Sequence, residues 1–176
     1  NKFYTACPDM VQQAMDKFAD LTGRRYQLFE YTGAKDAEQV IVIMGSGAEV
    51  VDETVKALTA KGAKVGCLKV SLYRPFDVKR FIGLLPQTLK DLIVLDRTKE
   101  PGAIGEPLYL DCVSAIQEAQ QNGWAKFNQP PKIYGGRYGL SSKEFTPAMV
   151  KGIYDFFGSG KSKHGFTIGI NDDVTH

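Results

Sequence analysis

Cysteine, tryptophan and histidine are scarce in this chain of 176 residues, which holds three, one and two of them. Cys7, Cys67 and Cys112 are odd in number and too widely spaced for a CxxC pair. A disulfide framework and a locally encoded zinc or iron–sulfur set are therefore excluded. A reducing compartment, the cytoplasm, is the expectation. Charge of one sign is lacking too: 22 Lys+Arg stand against 20 Asp+Glu, a formal charge of +2, and no basic run is interleaved with aromatics. Nucleic-acid binding has no support from that balance. No apolar run is long enough to span a bilayer, so a membrane is not an expected partner. Repeats and low-complexity tracts are missing, as are an initiator Met and a signal-peptide apolar region. Both ends, Asn1-Lys2-Phe3-Tyr4 and Asp172-Asp173-Val174-Thr175-His176, read as cut from a longer polypeptide.

What is present is an ordinary globular composition, 43% hydrophobic and 24% charged. Met10, Val11, Ala14, Met15, Phe18 and Leu21 fall at helical steps between Pro8 and Thr22, predicting a helix with one apolar face, Pro8 in its first turn and Gly23 at its end. A polar stretch through Tyr31-Thr32-Gly33-Ala34-Lys35 separates it from Val40–Met44, an unbroken β-branched run that reads as a strand buried on both faces. A helix carrying Val50, Val51, Val55 and Leu58 follows, then a strand within Lys64–Leu72, a short helix from Asp77 to about Leu85 and a strand at Leu92–Leu95. Pro107 opens a helix with Leu108, Leu110, Val113, Ile116 and Ala119 on its apolar side. Ile133-Tyr134 and Phe166–Ile170 are shorter strands. Between them Thr146 and Pro147 start a helix with Met149, Val150, Ile153, Tyr154 and Phe157 inward. The alternation predicts an α/β fold, an open and mostly parallel sheet with helices on both faces.

Gly45-Ser46-Gly47-Ala48-Glu49-Val50, between strand and helix, invites reading as a dinucleotide fingerprint. Its third glycine position is Val50, and the next strand ends at Tyr73-Arg74 rather than at an acid for a ribose hydroxyl. Ser46 and Glu49 instead stand at the spacing of a capping box, whose carboxylate would repel a phosphate. Ligands in such sheets bind beyond the carboxyl ends of the strands. The loops there carry Arg74, Arg97, Lys99, Glu100 and Arg137, candidates for domain–domain interfaces or anion contacts, or for pairs that hold their own loops. His164 and His176 lack partners at triad spacing. Asp172 and Asp173 lack the alternation of a calcium loop. From the residues alone, a binding or scaffolding role outranks an independent enzyme.

Val40–Met44 with Gly45–Glu49, Gly62-Ala63-Lys64-Val65-Gly66 and Leu72-Tyr73-Arg74-Pro75-Phe76 resembles the C-terminal domain of the transketolase group of thiamine-diphosphate enzymes. More specific are Leu95–Gly102, Gly105-Glu106-Pro107-Leu108-Tyr109, Gly135–Pro147 and Gly169–His176. Together they resemble the second domain of the pyruvate:ferredoxin (or flavodoxin) oxidoreductases, over nearly the whole chain. The resemblance implies residues 1–36 as a helical connector from a preceding domain and 37–176 as the transketolase C-terminal-like domain. It also implies oxidative decarboxylation of pyruvate with coenzyme A to acetyl-CoA and carbon dioxide, electrons passing to ferredoxin or flavodoxin, in what is expected to be a homodimer. Thiamine diphosphate and 4Fe-4S clusters belong to other domains in that family. No cofactor is expected on this segment, which lacks a Gly-Asp-Gly diphosphate signature, and no catalytic residue is assigned; by itself it is expected to be inactive. Two alternatives stand: a free-standing module binding CoA or a nucleotide through Gly45–Gly47, and the same domain of another 2-oxoacid oxidoreductase.

Overall fold

The computed structural model describes residues 1–170, so that His176, Asp172 and Asp173 lie outside the described residues. Its frame is a six-stranded sheet in the order β1-β3-β2-β4-β5-β6. The strands are β1 (Phe29–Gly33), β2 (Gln39–Met44), β3 (Val65–Val70), β4 (Asp91–Asp96), β5 (Lys132–Arg137) and β6 (Phe166–Thr167). All neighbouring pairs are parallel except β1 with β3, where Phe29 faces Val70 and Gly33 faces Gly66. The helices are α1 (Lys2–Thr22), α2 (Gly47–Thr59), α3 (Val78–Leu84), α4 (Pro107–Gln121) and α5 (Pro147–Gly158).

Side chains of a strand alternate between faces, so β2 serves two cores at once. Val40 and Val42 join Phe81, Leu108, Cys112 and Ile116 in a core under α3 and α4. Ile41 and Ile43 join Val51, Val55, Val150 and Phe157 in a second core under α2 and α5. All four of these β2 side chains are fully buried. The expectation of an α/β fold with an open, mostly parallel sheet and helices on both faces therefore holds.

Several local expectations do not. Helix α1 begins at Lys2, capped by the Asn1 side chain, and Pro8 sits inside it rather than in its first turn. Gly23 does end it, in the left-handed conformation that a side chain disfavours. Its expected single apolar face is split. Pro8 and Ala19 are buried and Val11 and Met15 pack on the core, while Met10, Phe18 and Leu21 remain exposed. Of the polar stretch expected to follow, Tyr31, Thr32 and Gly33 belong to strand β1, which starts at Phe29. On α4 the buried side is Leu108, Cys112, Ala115, Ile116 and Ala119, with Leu110 and Val113 half-buried at its margin. Strand β6 is only two residues long.

Candidate functional site

The carboxyl ends of β2, β3, β4 and β5 open on one edge of the sheet, and the charged loop residues gather there. Asp96, the last residue of β4, is 1% exposed. Its Oδ1 accepts the Leu108 backbone N–H at 2.9 Å and its Oδ2 that of Tyr109 at 3.1 Å. A carboxylate thus meets the two otherwise unpaired donors and the positive dipole end of α4. Burial pushes its pKa above the ordinary carboxylate value, and nearby Glu106 and Asp111 push the same way, against the pull of the two donors.

Glu106 occupies the N-cap position of α4 but aims its carboxylate elsewhere. Its Oε1 accepts from Arg137 Nη1 at 3.0 Å, with both side chains under one-tenth exposed. The same guanidinium donates through Nε to Thr167 Oγ1 at 3.1 Å and through Nη2 to the Gly165 carbonyl at 2.6 Å. Arg137 therefore ties β5, β6 and the start of α4 together. On the other flank Arg74 pairs with Asp111 of α4 at 2.6 Å, lies over the ring of Tyr73 and donates to its hydroxyl at 3.1 Å.

Arg97 is exposed and bridges three loops. Its Nε donates to the Gly139 carbonyl at 3.3 Å and its Nη1 to Ser46 Oγ at 3.2 Å. That contact replaces the expected capping box. Ser46 is the residue before α2, but its backbone is already helical and its hydroxyl makes no capping bond. The Glu49 carboxylate reaches sideways instead, accepting from Lys69 Nζ at 3.2 Å. Extended φ/ψ at the first position is what lets a serine fold back on its helix, and the Gly45 turn denies it here, with Ala48 N–H bonded to the Gly45 carbonyl.

The glycine of the apparent fingerprint has a packing role. A Cβ on Gly47 would lie 2.5 Å from the Tyr138 ring, whose hydroxyl donates to the Met44 carbonyl. The space a pyrophosphate would need against that backbone is filled by an aromatic side chain. Gly136 is crowded in the same way by the ring of Phe166.

Lys99 and Glu100 lie on the loop between β4 and α4, which lines a cleft of about 400 Å³ together with Arg137, His164 and Gly165. At its tip Ile104 is 87% exposed. His164 Nδ1 accepts the Gly135 N–H, and its ring lies 4.8 Å from that of Tyr109. Sequence reasoning missed Asp96, Glu106 and Asp111 as partners. The available signals were an acid closing an apolar strand and an acid just before the proline that opens a helix. No group of three or more potential metal ligands occurs among the described residues, so they do not fit an iron–sulfur cluster. Among the same residues no helix is long and apolar enough to cross a membrane.

Residues 37–136 match the family model described as pyruvate:ferredoxin oxidoreductase core domain II, more than half of the chain. The chain belongs to that family. Members of known name align with all of it: a pyruvate-flavodoxin oxidoreductase of Nostoc sp. at 58% identity and a pyruvate:ferredoxin oxidoreductase of Moorella thermoacetica at 51%. A probable pyruvate-flavodoxin oxidoreductase of Escherichia coli is 50% identical over the same span. The chain covers 15%, 14% and 15% of these three relatives, respectively. A solved 2-oxoglutarate:ferredoxin oxidoreductase from Magnetococcus marinus superimposes at a TM-score of 0.47 with 23% identity, over 83% of this chain and 22% of the other. The core domain II match runs from just before β2 into β5, enclosing Arg74, Arg97, Lys99, Glu100, Asp96 and Glu106 and stopping one residue short of Arg137.

Proposed function

We propose that this core domain II is a bracing unit of a larger pyruvate:ferredoxin or flavodoxin oxidoreductase, holding neighbouring parts of the enzyme through the loops at the carboxyl edge of its sheet. In the whole enzyme pyruvate and CoA become acetyl-CoA and carbon dioxide, and the two electrons released pass to ferredoxin or flavodoxin. Thiamine diphosphate and the 4Fe-4S clusters reside elsewhere in the polypeptide, which works as a homodimer in the cytoplasm. This segment binds no cofactor of its own.

The observation that carries the reading is the way the edge spends its charge. Asp96 is bound to α4, Glu106 to Arg137, and Asp111 to Arg74. Groups so engaged stiffen loops rather than transfer protons or bind substrate, and the loop they stiffen presents an isolated isoleucine to the outside. Arg97 is the exposed arginine at the junction of three loops, a residue type favoured at interfaces.

Arg97→Ala and, separately, Arg74→Ala in the whole enzyme test this. Weakened assembly on size-exclusion chromatography, with pyruvate turnover falling in step, is the expected result. Unchanged assembly together with unchanged turnover in both variants would refute the bracing role. Titration of the protein with CoA, thiamine diphosphate and nucleotides addresses the module reading. Tight binding that persists in residues 1–176 alone would favour it.

A further inference from the structure

Helix α1 has more apolar surface than its own fold uses. Its inward residues Pro8, Val11, Met15 and Ala19 follow steps of three and four; Pro8 and Ala19 are buried, and Val11 and Met15 pack against the core that holds Phe81. A second series, Phe3, Cys7, Met10, Ala14 and Leu21, follows steps of four, three, four and seven along a neighbouring face. Phe3 and Leu21 are each 86% exposed and Met10 is 64% exposed. Phe18 is partly covered from within, by the Tyr26 ring at 5.9 Å and the Arg24 guanidinium at 5.1 Å. Nothing in the chain covers Phe3, Met10 or Leu21 in this way among the described residues. Lys17 interrupts the stripe between Ala14 and Leu21, and the residues beyond it, Gln13, Asp16 and Asp20, are polar and exposed.

Seven-residue repeats with a four-residue step between them are the pattern one helix presents to another. At about 1.5 Å per residue and a helix width of about 10 Å, the stripe is about 27 Å long and offers about 300 Å². Two copies pairing through it would bury about 600 Å² in total, half the ~1,200 Å² at which stable complexes begin. A segment tethered in the same chain needs less area, because tethering makes its association intramolecular. The relatives provide that chain in plenty: this sequence covers 14–15% of them.

We propose that the outward stripe of α1 seats an amphipathic helix contributed by another part of the same polypeptide. This rests on the reading of the chain as one segment of a longer oxidoreductase. The contact lies beside the fold's own core and is separate from the loop edge that carries Arg97.

The test uses the purified full-length polypeptide carrying this sequence, with Met10→Cys on the stripe and Asp16→Cys on the polar side as control. Maleimide labelling of each site is followed by peptide mass spectrometry. In this segment alone both positions are exposed, so burial by a partner shows as at least tenfold slower labelling of Met10→Cys than of Asp16→Cys. Replacing Met10 by p-benzoylphenylalanine and irradiating is expected to give an adduct on a segment of the same chain outside residues 1–176. Equal labelling rates overturn the proposal. Protection that disappears on dilution, or an adduct on residues 2–22 of a second molecule, overturns it in favour of self-association. Reduction of a one-electron dye dependent on both pyruvate and CoA, measured on the wild-type preparation, tests the underlying reading separately.

Discussion

Glu106 and Arg137 lie under one-tenth exposed, and such a pair is held less by a net gain than by the cost of leaving either charge alone. Arg137→Ala should therefore destabilise the fold by about 3–5 kcal/mol, since it strands a buried carboxylate. The double replacement Glu106→Leu with Arg137→Met should cost far less, and urea denaturation distinguishes the two outcomes. Tyr31 gives a pH dependence. Its hydroxyl donates to the Ala34 carbonyl, and burial, with smaller contributions from Cys67 and Asp36, pushes its pKa up to about 12. An unfolded tyrosine ionises near pH 10. The stability that this group contributes should hold below pH 10 and then fall as pH rises toward 12, because the unfolded chain releases a proton that the folded chain keeps. The buried Cys67 and Cys112 thiols, also pushed up, act in the same direction from about pH 8.5. Tyr31→Phe should lessen the slope without removing it in denaturation curves taken from pH 9 to 11, since Tyr138 and Tyr154 are pushed up by burial as well.

Among the elements, α4 depends on a cap that comes from another strand. Asp96→Ala leaves the Leu108 and Tyr109 N–H groups unpaired and should cost about 1–3 kcal/mol, whereas Asp96→Asn, which keeps an accepting oxygen, should cost less. Chemical denaturation of the two variants side by side tests the ordering. Elements whose signals are local were legible in the sequence. The Val40–Met44 run, Asp77 before α3, Thr146 before α5 and Gly23 after α1 all stand where their own chemistry puts them. Strand β1 was not legible, because Phe29-Glu30-Tyr31-Thr32-Gly33 is short and its partner β3 lies more than thirty residues away. Helix α1 was read as starting at Pro8 because proline favours first turns, yet Asn1 supplies a cap further upstream. The candidate site was legible in its place and in its arginines but not in its pairings. Arg137 and Glu106 are 31 positions apart, and no spacing rule connects them.

Across the whole molecule, the sheet separates two cores that share no member among their buried residues. Cys112→Ala on the buried side of α4 and Val150→Ala on the buried side of α5 should then lower stability additively, the double variant matching the sum within about 0.5 kcal/mol. A coupling larger than that would show strain passing through the strands. The adjacent side chains of β2, Val42 to one core and Ile43 to the other, make the sheet a party wall with a separate tenancy on each side. A substitution that repacks the α2 and α5 layer can be accepted without renegotiating the α1, α3 and α4 layer. The two halves of this domain are therefore free to diverge in sequence at different rates, each answering only to whatever neighbour it faces.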